Sequence, residues 1–109
     1  MVTVKELIQK SGFEAVAVPQ ADREISGVYI GDLLSWVMGR AKADDAWITI
    51  MSNINVIAVA SLADVSCVIL AEGVVLDEET AKAAEDKGIN VLTTNSPIYE
   101  TAKILSELI

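Results

Sequence analysis

The sequence predicts an α/β domain: a mostly parallel sheet joined by βαβ crossovers, with helices on both faces. From Trp47 onward, apolar runs alternate with helical segments of roughly ten residues, which is the rhythm of βαβ units. Crossovers of that length make successive strands parallel neighbours. The runs are nearly continuous rather than alternating, as in strands covered on both faces.

The first helix is signalled by Thr3 and Glu6, spaced as a capping box, with Val2 and Leu7 placed as its hydrophobic staple. Gly12 is its natural stop. Phe13 to Val18 reads as a strand ended by Pro19, and Gln20 to Glu24 as a polar loop. Gly27 to Gly31 is a short strand, after which Asp32 can cap a helix from Leu33 to Arg40. Trp47 to Met51 is a strand, and Ser52 or Asn53 caps a helix reaching Ala63. Val65 to Leu70 is the next strand, closed by the turn Ala71-Glu72-Gly73. Asp77 caps a helix from Glu78 to Lys87, which Gly88 ends, and Ile89 to Thr93 is the last strand. Ser96 caps the final helix with Pro97 at its first position, where a missing N–H costs nothing.

The helices differ in polarity. The final one carries Ile98, Ala102, Leu105 and Ile109 at helical spacing and packs one face inward. The one from Glu78 to Lys87 has only a thin apolar face, Ala81 and Ala84. The segment Ile54–Ala63 has almost no polar face, so it needs cover on every side, and a second copy of the chain is the expected source. The Trp36-bearing segment raises the same expectation of a homodimer.

At 109 residues, the chain is expected to form one domain, residues 1–109, with 52% hydrophobic residues. A domain of this size buries roughly 65% of its unfolded surface, enough to fold without a metal or disulfides. Its formal net charge of −8, with no basic cluster, disfavours nucleic acid and anionic membranes as partners. Cys67, alone in an apolar run, is expected to be a buried reduced thiol. With no secretory leader and no apolar stretch long enough to cross a bilayer, a cytoplasmic location is expected.

There is no histidine, which removes the usual neutral-pH base and the commonest zinc ligand. Neither G-x-x-x-x-G-K-[ST] nor G-x-G-x-x-G occurs, so phosphate cradles of those kinds are absent. The paired acids Asp44-Asp45, Asp77-Glu78-Glu79 and Glu85-Asp86 read as caps and solvated faces. No catalytic residue, metal site or cofactor is expected.

One constellation supports a binding hypothesis. Ligands of parallel sheets bind beyond the carboxyl ends of the strands, near helix N-termini. Those ends carry Ser52, Asn53, Asn55, Glu72, Gly73, Thr93, Thr94 and Asn95, the candidate ligand-binding residues. The alternative is that Ser52, Asn53 and Ser96 only cap helices. Glu72 opposes a strongly anionic ligand unless a cation accompanies it.

The run from Asp22-Arg23-Glu24-Ile25-Ser26-Gly27 through Gly31-Asp32-Leu33-Leu34-Ser35 leads to Trp47-Ile48-Thr49-Ile50 and then to Asn55–Ala60. A strand ending in Glu72-Gly73 and the stretch Gly88–Thr94 follow. In order and spacing this resembles the DRTGG-domain family in its short stand-alone bacterial form. The resemblance implies an α/β domain similar to the N-terminal domain of HPr serine kinases. In other proteins such domains accompany phosphotransacetylase or sit between CBS domains in regulated pyrophosphatases. It also implies dimerisation and regulation by nucleotides, and not catalysis. Stand-alone members look like accessory proteins, some encoded near hydrogenase-type redox subunits. The sequence departs from the family pattern twice. The family's Gly-Asp-Arg appears as Ser52-Asn53-Ile54-Asn55, without acid or base, and its Thr-Gly-Gly as Ala71-Glu72-Gly73. If those segments touch ligand in larger members, nucleotide binding is weakened here.

The expectation is therefore a non-catalytic, dimeric regulatory or ligand-sensing module for a nucleotide or small anionic metabolite. The alternative is a structural adaptor that docks onto a redox or signalling complex and binds no small molecule.

Overall fold

The computed structural model describes residues 1–109. In chain order the elements are α1 (Val4–Ser11), β1 (Glu14–Ala17), β2 (Gly27–Ile30), α2 (Leu34–Arg40), β3 (Asp45–Thr49), α3 (Asn55–Ala63), β4 (Cys67–Leu70), α4 (Glu78–Lys87), β5 (Val91–Thr93) and α5 (Ile98–Leu108). The sheet has five strands in the order β1-β5-β4-β3-β2. Strands β2 to β5 are mutually parallel, and β1 returns antiparallel to β5 with Glu14 opposite Thr93. The expected mostly parallel α/β sheet with helices on both faces is the fold observed.

The strand order fixes where the helices go. From β2 to β5 the chain steps always in the same direction, and right-handed crossovers then place each connecting helix on one face. Residues of α2, α3 and α4 accordingly share a core with Trp47, Val68 and Leu70. The opposite face is left to the two ends of the chain: Leu7 of α1 and Leu105 of α5 pack with Ile48, Cys67, Ile69 and Leu92. β3 and β4 are buried at every residue, which explains their unbroken apolar runs. The buried Trp47 donates its Nε1–H to the Gly31 carbonyl at 2.8 Å, leaving no polar cost.

The caps decide the helix starts, and three of them differ from the sequence expectation. The α1 capping box forms as expected, with the Glu6 N–H donating to Thr3 Oγ1 at 3.1 Å and the Thr3 N–H to Glu6 Oε1 at 3.0 Å. Asp77 caps α4 by accepting the Thr80 N–H at 2.7 Å. Asp32 does not cap α2, whose N-cap is Leu33. Its carboxylate instead accepts the Thr49 hydroxyl at 2.7 Å and the Ile50 N–H at 3.0 Å, which pins the β2–α2 loop to the end of β3. Ser96 does not cap α5 either: Pro97 is the N-cap, and the Ile98 N–H goes to the Glu72 carboxylate at 3.1 Å. α3 begins at Asn55, and Asn53 Oδ1 accepts the Asn55 N–H at 2.9 Å in a turn just before it. At α5 the Glu72 carboxylate from a neighbouring loop takes the orphan N–H in place of the local Ser96 hydroxyl, because a charged acceptor binds it more strongly.

Two polar features, one half-buried and one buried, hold the loops. Arg23 reaches Asp44 Oδ1 at 3.0 Å and Asp64 Oδ1 at 2.8 Å, and also donates to the Asp64 carbonyl at 2.6 Å. Asp44 and Asp64 both sit at positive φ, 69° and 58°, where aspartate is better tolerated than most side chains. Asn90, only 2% exposed, accepts the Gln20 N–H at 2.9 Å and donates to the carbonyls of Gln20 and Ser66 at 2.8 and 3.0 Å.

Burial pushes the Cys67 thiol up to about 12, so it stays protonated and shielded. Cys67 is expected to resist a disulfide reagent at pH 8 in the native protein and to react at once in denaturant. Fast native labelling would show that the core opens.

The two caps also set an acid limb. Hydrogen bonds from Thr3, backbone first, hold Glu6 below its ordinary value, and the Thr80 N–H does the same for Asp77. A carboxylate depressed in the folded state stabilises fully above its unfolded value and loses that contribution as pH falls through the folded one. Melting temperature should therefore decline as pH drops below 4.5 for Glu6 and 3.8 for Asp77. The double variant Glu6→Gln, Asp77→Asn should show a shallower decline in thermal melts over that range.

Candidate functional site

The topology makes one place in the sheet special. The chain leaves β4 towards the α4 face but leaves β5 towards α5 on the other face. Where adjacent strands part to opposite faces, a crevice opens at their carboxyl ends. The structure has a cavity of about 330 Å³ there, near the lower limit for small-ligand sites. Its walls are Gly73, Val74 and Val75 after β4, Thr93 to Ser96 from the last residue of β5 onward, and Ile104 of α5. The turn Ser11-Gly12-Phe13-Glu14 closes the remaining side, brought there by the antiparallel return of β1.

Of the candidate residues, Gly73, Thr93, Thr94 and Asn95 line this cavity together. Glu72 adjoins it but aims its carboxylate at the Ile98 N–H, so the chain's own anion occupies the first donor of α5. Ser52, Asn53 and Asn55 line none of the cavities. They follow β3, whose connection runs to the same face as that of β4, so no crevice opens between those strands. Sequence reasoning missed Ser11 to Glu14. The strand Phe13–Val18 was legible, but its direction was not, and only its antiparallel pairing with β5 puts that turn at the site.

The two loops at the mouth are tied together. Glu72 N–H donates to the Ser96 carbonyl at 2.9 Å and Gly73 N–H to the Thr94 carbonyl at 3.0 Å. Thr94 Oγ1 accepts the Ser96 N–H at 3.2 Å. Gly73 adopts φ +74°, and a Cβ there would meet Asn95 Oδ1 at 3.3 Å. The turn needs glycine for both reasons. No lysine or arginine lines the cavity, whereas Glu14 does. Such a lining offers hydroxyls, amides and backbone groups to a polar ligand but no cation to an anion.

A second pair of hollows lies along β2. One, of about 470 Å³, is lined by Tyr29, Asp32, Trp36 and Arg40 among others, and the other, of about 420 Å³, by Ser26, Gly27, Tyr29, Arg40, Lys42 and Asp45 among others. The Arg40 guanidinium stacks 3.7 Å from the centre of the Trp36 ring.

Fold and site together define a small open-sheet α/β domain with one crevice at a strand switch point and no clustered catalytic chemistry in it. The chain belongs to the DRTGG-domain family, whose model matches residues 6–108. No curated protein sequence matches it. Among solved structures it is similar to the CBS and DRTGG domains of the regulatory region of Clostridium perfringens pyrophosphatase, complexed with the activator diadenosine tetraphosphate. The TM-score is 0.74 at 14% identity, over 94% of this chain and 45% of that one. The chain thus spans less than half of that regulatory region, and the likeness concerns the fold. No helix is long and apolar enough to cross a membrane.

Gly73→Ala should lower stability by about 1–2 kcal/mol, because alanine is forced into left-handed backbone. Asn53→Ala should cost about 0.5–1 kcal/mol through its lost turn bond, with no effect at the cavity. Denaturant melts of both variants check the pair of values.

Proposed function

We propose that this protein is a non-catalytic regulatory module that senses a small polar ligand in the crevice between the ends of β4 and β5. The observation that carries the reading is the placement of Gly73, Thr93, Thr94 and Asn95 around one cavity at the switch point. The family membership and the likeness to a regulatory region that binds a nucleotide activator support it. The ligand class is a nucleotide or small anionic metabolite that brings its own divalent cation, because Glu14 and Glu72 border the site and no basic side chain answers them. The non-catalytic reading is supported by the lack of histidine and by a single thiol that is fully buried. We place the protein in the cytoplasm.

The working form in this reading is a homodimer through α3. Ile54, Ala58 and Leu62 recur at four-residue spacing on its outer face, and Ile54 and Leu62 are 47% and 71% exposed. A contiguous exposed apolar stripe is the kind of surface that a second copy can cover.

A thermal-shift series with adenine and guanine nucleotides, each with and without magnesium, tests the ligand. A ligand at about a hundred times its Kd adds about 2.7 kcal/mol, which raises the melting temperature of a domain this size by about 10 °C or more. Thr94→Val should remove most of that response, whereas Asn53→Ala should keep it. A response lost equally in both would contradict the assignment. Light scattering should give a dimer at tens of micromolar and a monomer for Leu62→Glu. A monomeric wild type would refute the dimer.

A further inference from the structure

The sheet has two open edges, and they are unlike. β1 is guarded: its pairing with β5 is broken by an irregularity between Ala15 and Ala17, and Glu14 sits on it. β2, Gly27–Ile30, pairs only with β3 and carries no charge, proline or bulge. Both of its faces are prepared. On the α2 face, Gly27 and Gly31 flank Tyr29 and leave a hollow on either side of its ring. A side chain on either glycine would displace its neighbour, since a Cβ on Gly31 would lie 2.9 Å from the Tyr29 ring and one on Gly27 2.7 Å from Asp45 Oδ1. On the opposite face α1 and α5 do not reach the edge, and Val28 and Ile30 stand 38% and 48% exposed.

We propose that the β2 edge is a docking site for an extended segment of another protein, added as a sixth strand, in which a central acidic residue is flanked by apolar ones. Strand addition draws its affinity from main-chain hydrogen bonds and its specificity from pockets that take alternate side chains. The hollows on the α2 face share Arg40 and Tyr29, and Lys42 borders one of them. Neither basic side chain is in an ion pair, unlike Arg23. Asp32 and Asp45 also border the hollows, but Asp32 already accepts the Thr49 hydroxyl and the Ile50 N–H and Asp45 the Lys42 N–H, so the two unpaired bases beside Tyr29 select an acidic partner residue opposite it. Its two neighbours turn to the other face and lie against Val28 and Ile30, so they are apolar. Asp45 adds a hydrogen-bond acceptor. It is 7% exposed, its Oδ2 accepts the Lys42 N–H at 2.8 Å, and its Oδ1, beside Gly27, has no hydrogen-bond donor from the chain. A hydroxyl or amide two residues from the acid completes it. A second copy fits less well, because pairing β2 with itself sets Arg40 and Lys42 of one chain against those of the other. This site lies apart from the β4–β5 crevice and stands whether or not a ligand binds there.

The test titrates the protein with the peptide acetyl-Thr-Val-Glu-Val-Thr-amide, whose symmetric pattern suits either strand direction, and follows amide and indole NMR shifts. Shifts should concentrate on Gly27 to Gly31, Lys42 and the Trp36 indole. Lysine in place of the peptide's glutamate should weaken binding at least tenfold, and so should Arg40→Glu in a protein whose remaining spectrum is unchanged. Absence of shifts along β2 at millimolar peptide, or equal binding of the lysine peptide, would overturn the proposal. So would concentration-dependent protection of the β2 amides in the free protein, which would identify a second copy as the occupant.

Discussion

Asn90 fixes the one element whose position could not follow from crossover rules. The parallel strands β2 to β5 are placed by their helices, but β1 has no crossover and must be held against β5 by other means. Beside the β1–β5 ladder itself, a single buried amide does this, gripping both backbone groups of Gln20, just past the end of β1, and the Ser66 carbonyl just before β4. Gln20 answers by donating its Nε2–H to the Gly88 carbonyl at 2.7 Å. A satisfied buried amide is specific as well as stabilising, because the same side chain in any other register would leave costly unpaired groups. With β1 fixed, Glu14 falls opposite Thr93 and the α1–β1 turn becomes a wall of the crevice.

The remaining asymmetry follows from strand order. Three crossovers in one direction crowd three helices onto one face and leave the other to two terminal helices. Those two cover β3, β4 and β5 but not β2, which is why the apolar edge is bare on one side. The carboxyl edge shows a complementary economy: Asp32 and Glu72, carboxylates that could have faced a ligand, are bound to the chain's own N–H and hydroxyl groups. Donors at the helix starts are thus partly answered from within, and the crevice presents hydroxyls and amides with Glu14 as its one charged side chain.

Much of this was legible in the sequence because its signals are local. Thr3 with Glu6, Asp77 with Thr80 and the terminal Gly12 and Gly88 act within a few residues, so their reading matched the structure. Asp32 and Ser96 were misread because the winning partners, Thr49 and Glu72, lie 17 and 24 residues away in the chain. The lining of the cavity was half legible for the same reason. Thr93, Thr94, Asn95 and Gly73 follow from the rule that loops after parallel strands share an edge. That rule says nothing of which loops turn to the same face, so Ser52, Asn53 and Asn55 were grouped with them and Ser11 to Glu14 were left out. Strand direction and strand order are long-range facts, written in residues such as Asn90 that look unremarkable in sequence.

Amide hydrogen exchange on the wild type and on Asn90→Ala tests this dependence most directly. In the wild type the amides of β1 should be protected to the same degree as those of β5. In Asn90→Ala, β1 and the Ser11–Glu14 turn should lose protection by at least tenfold relative to β3 and β4, which keep theirs. Uniform loss across the sheet, or a β1 that stays as protected as β5, would contradict the role given to Asn90.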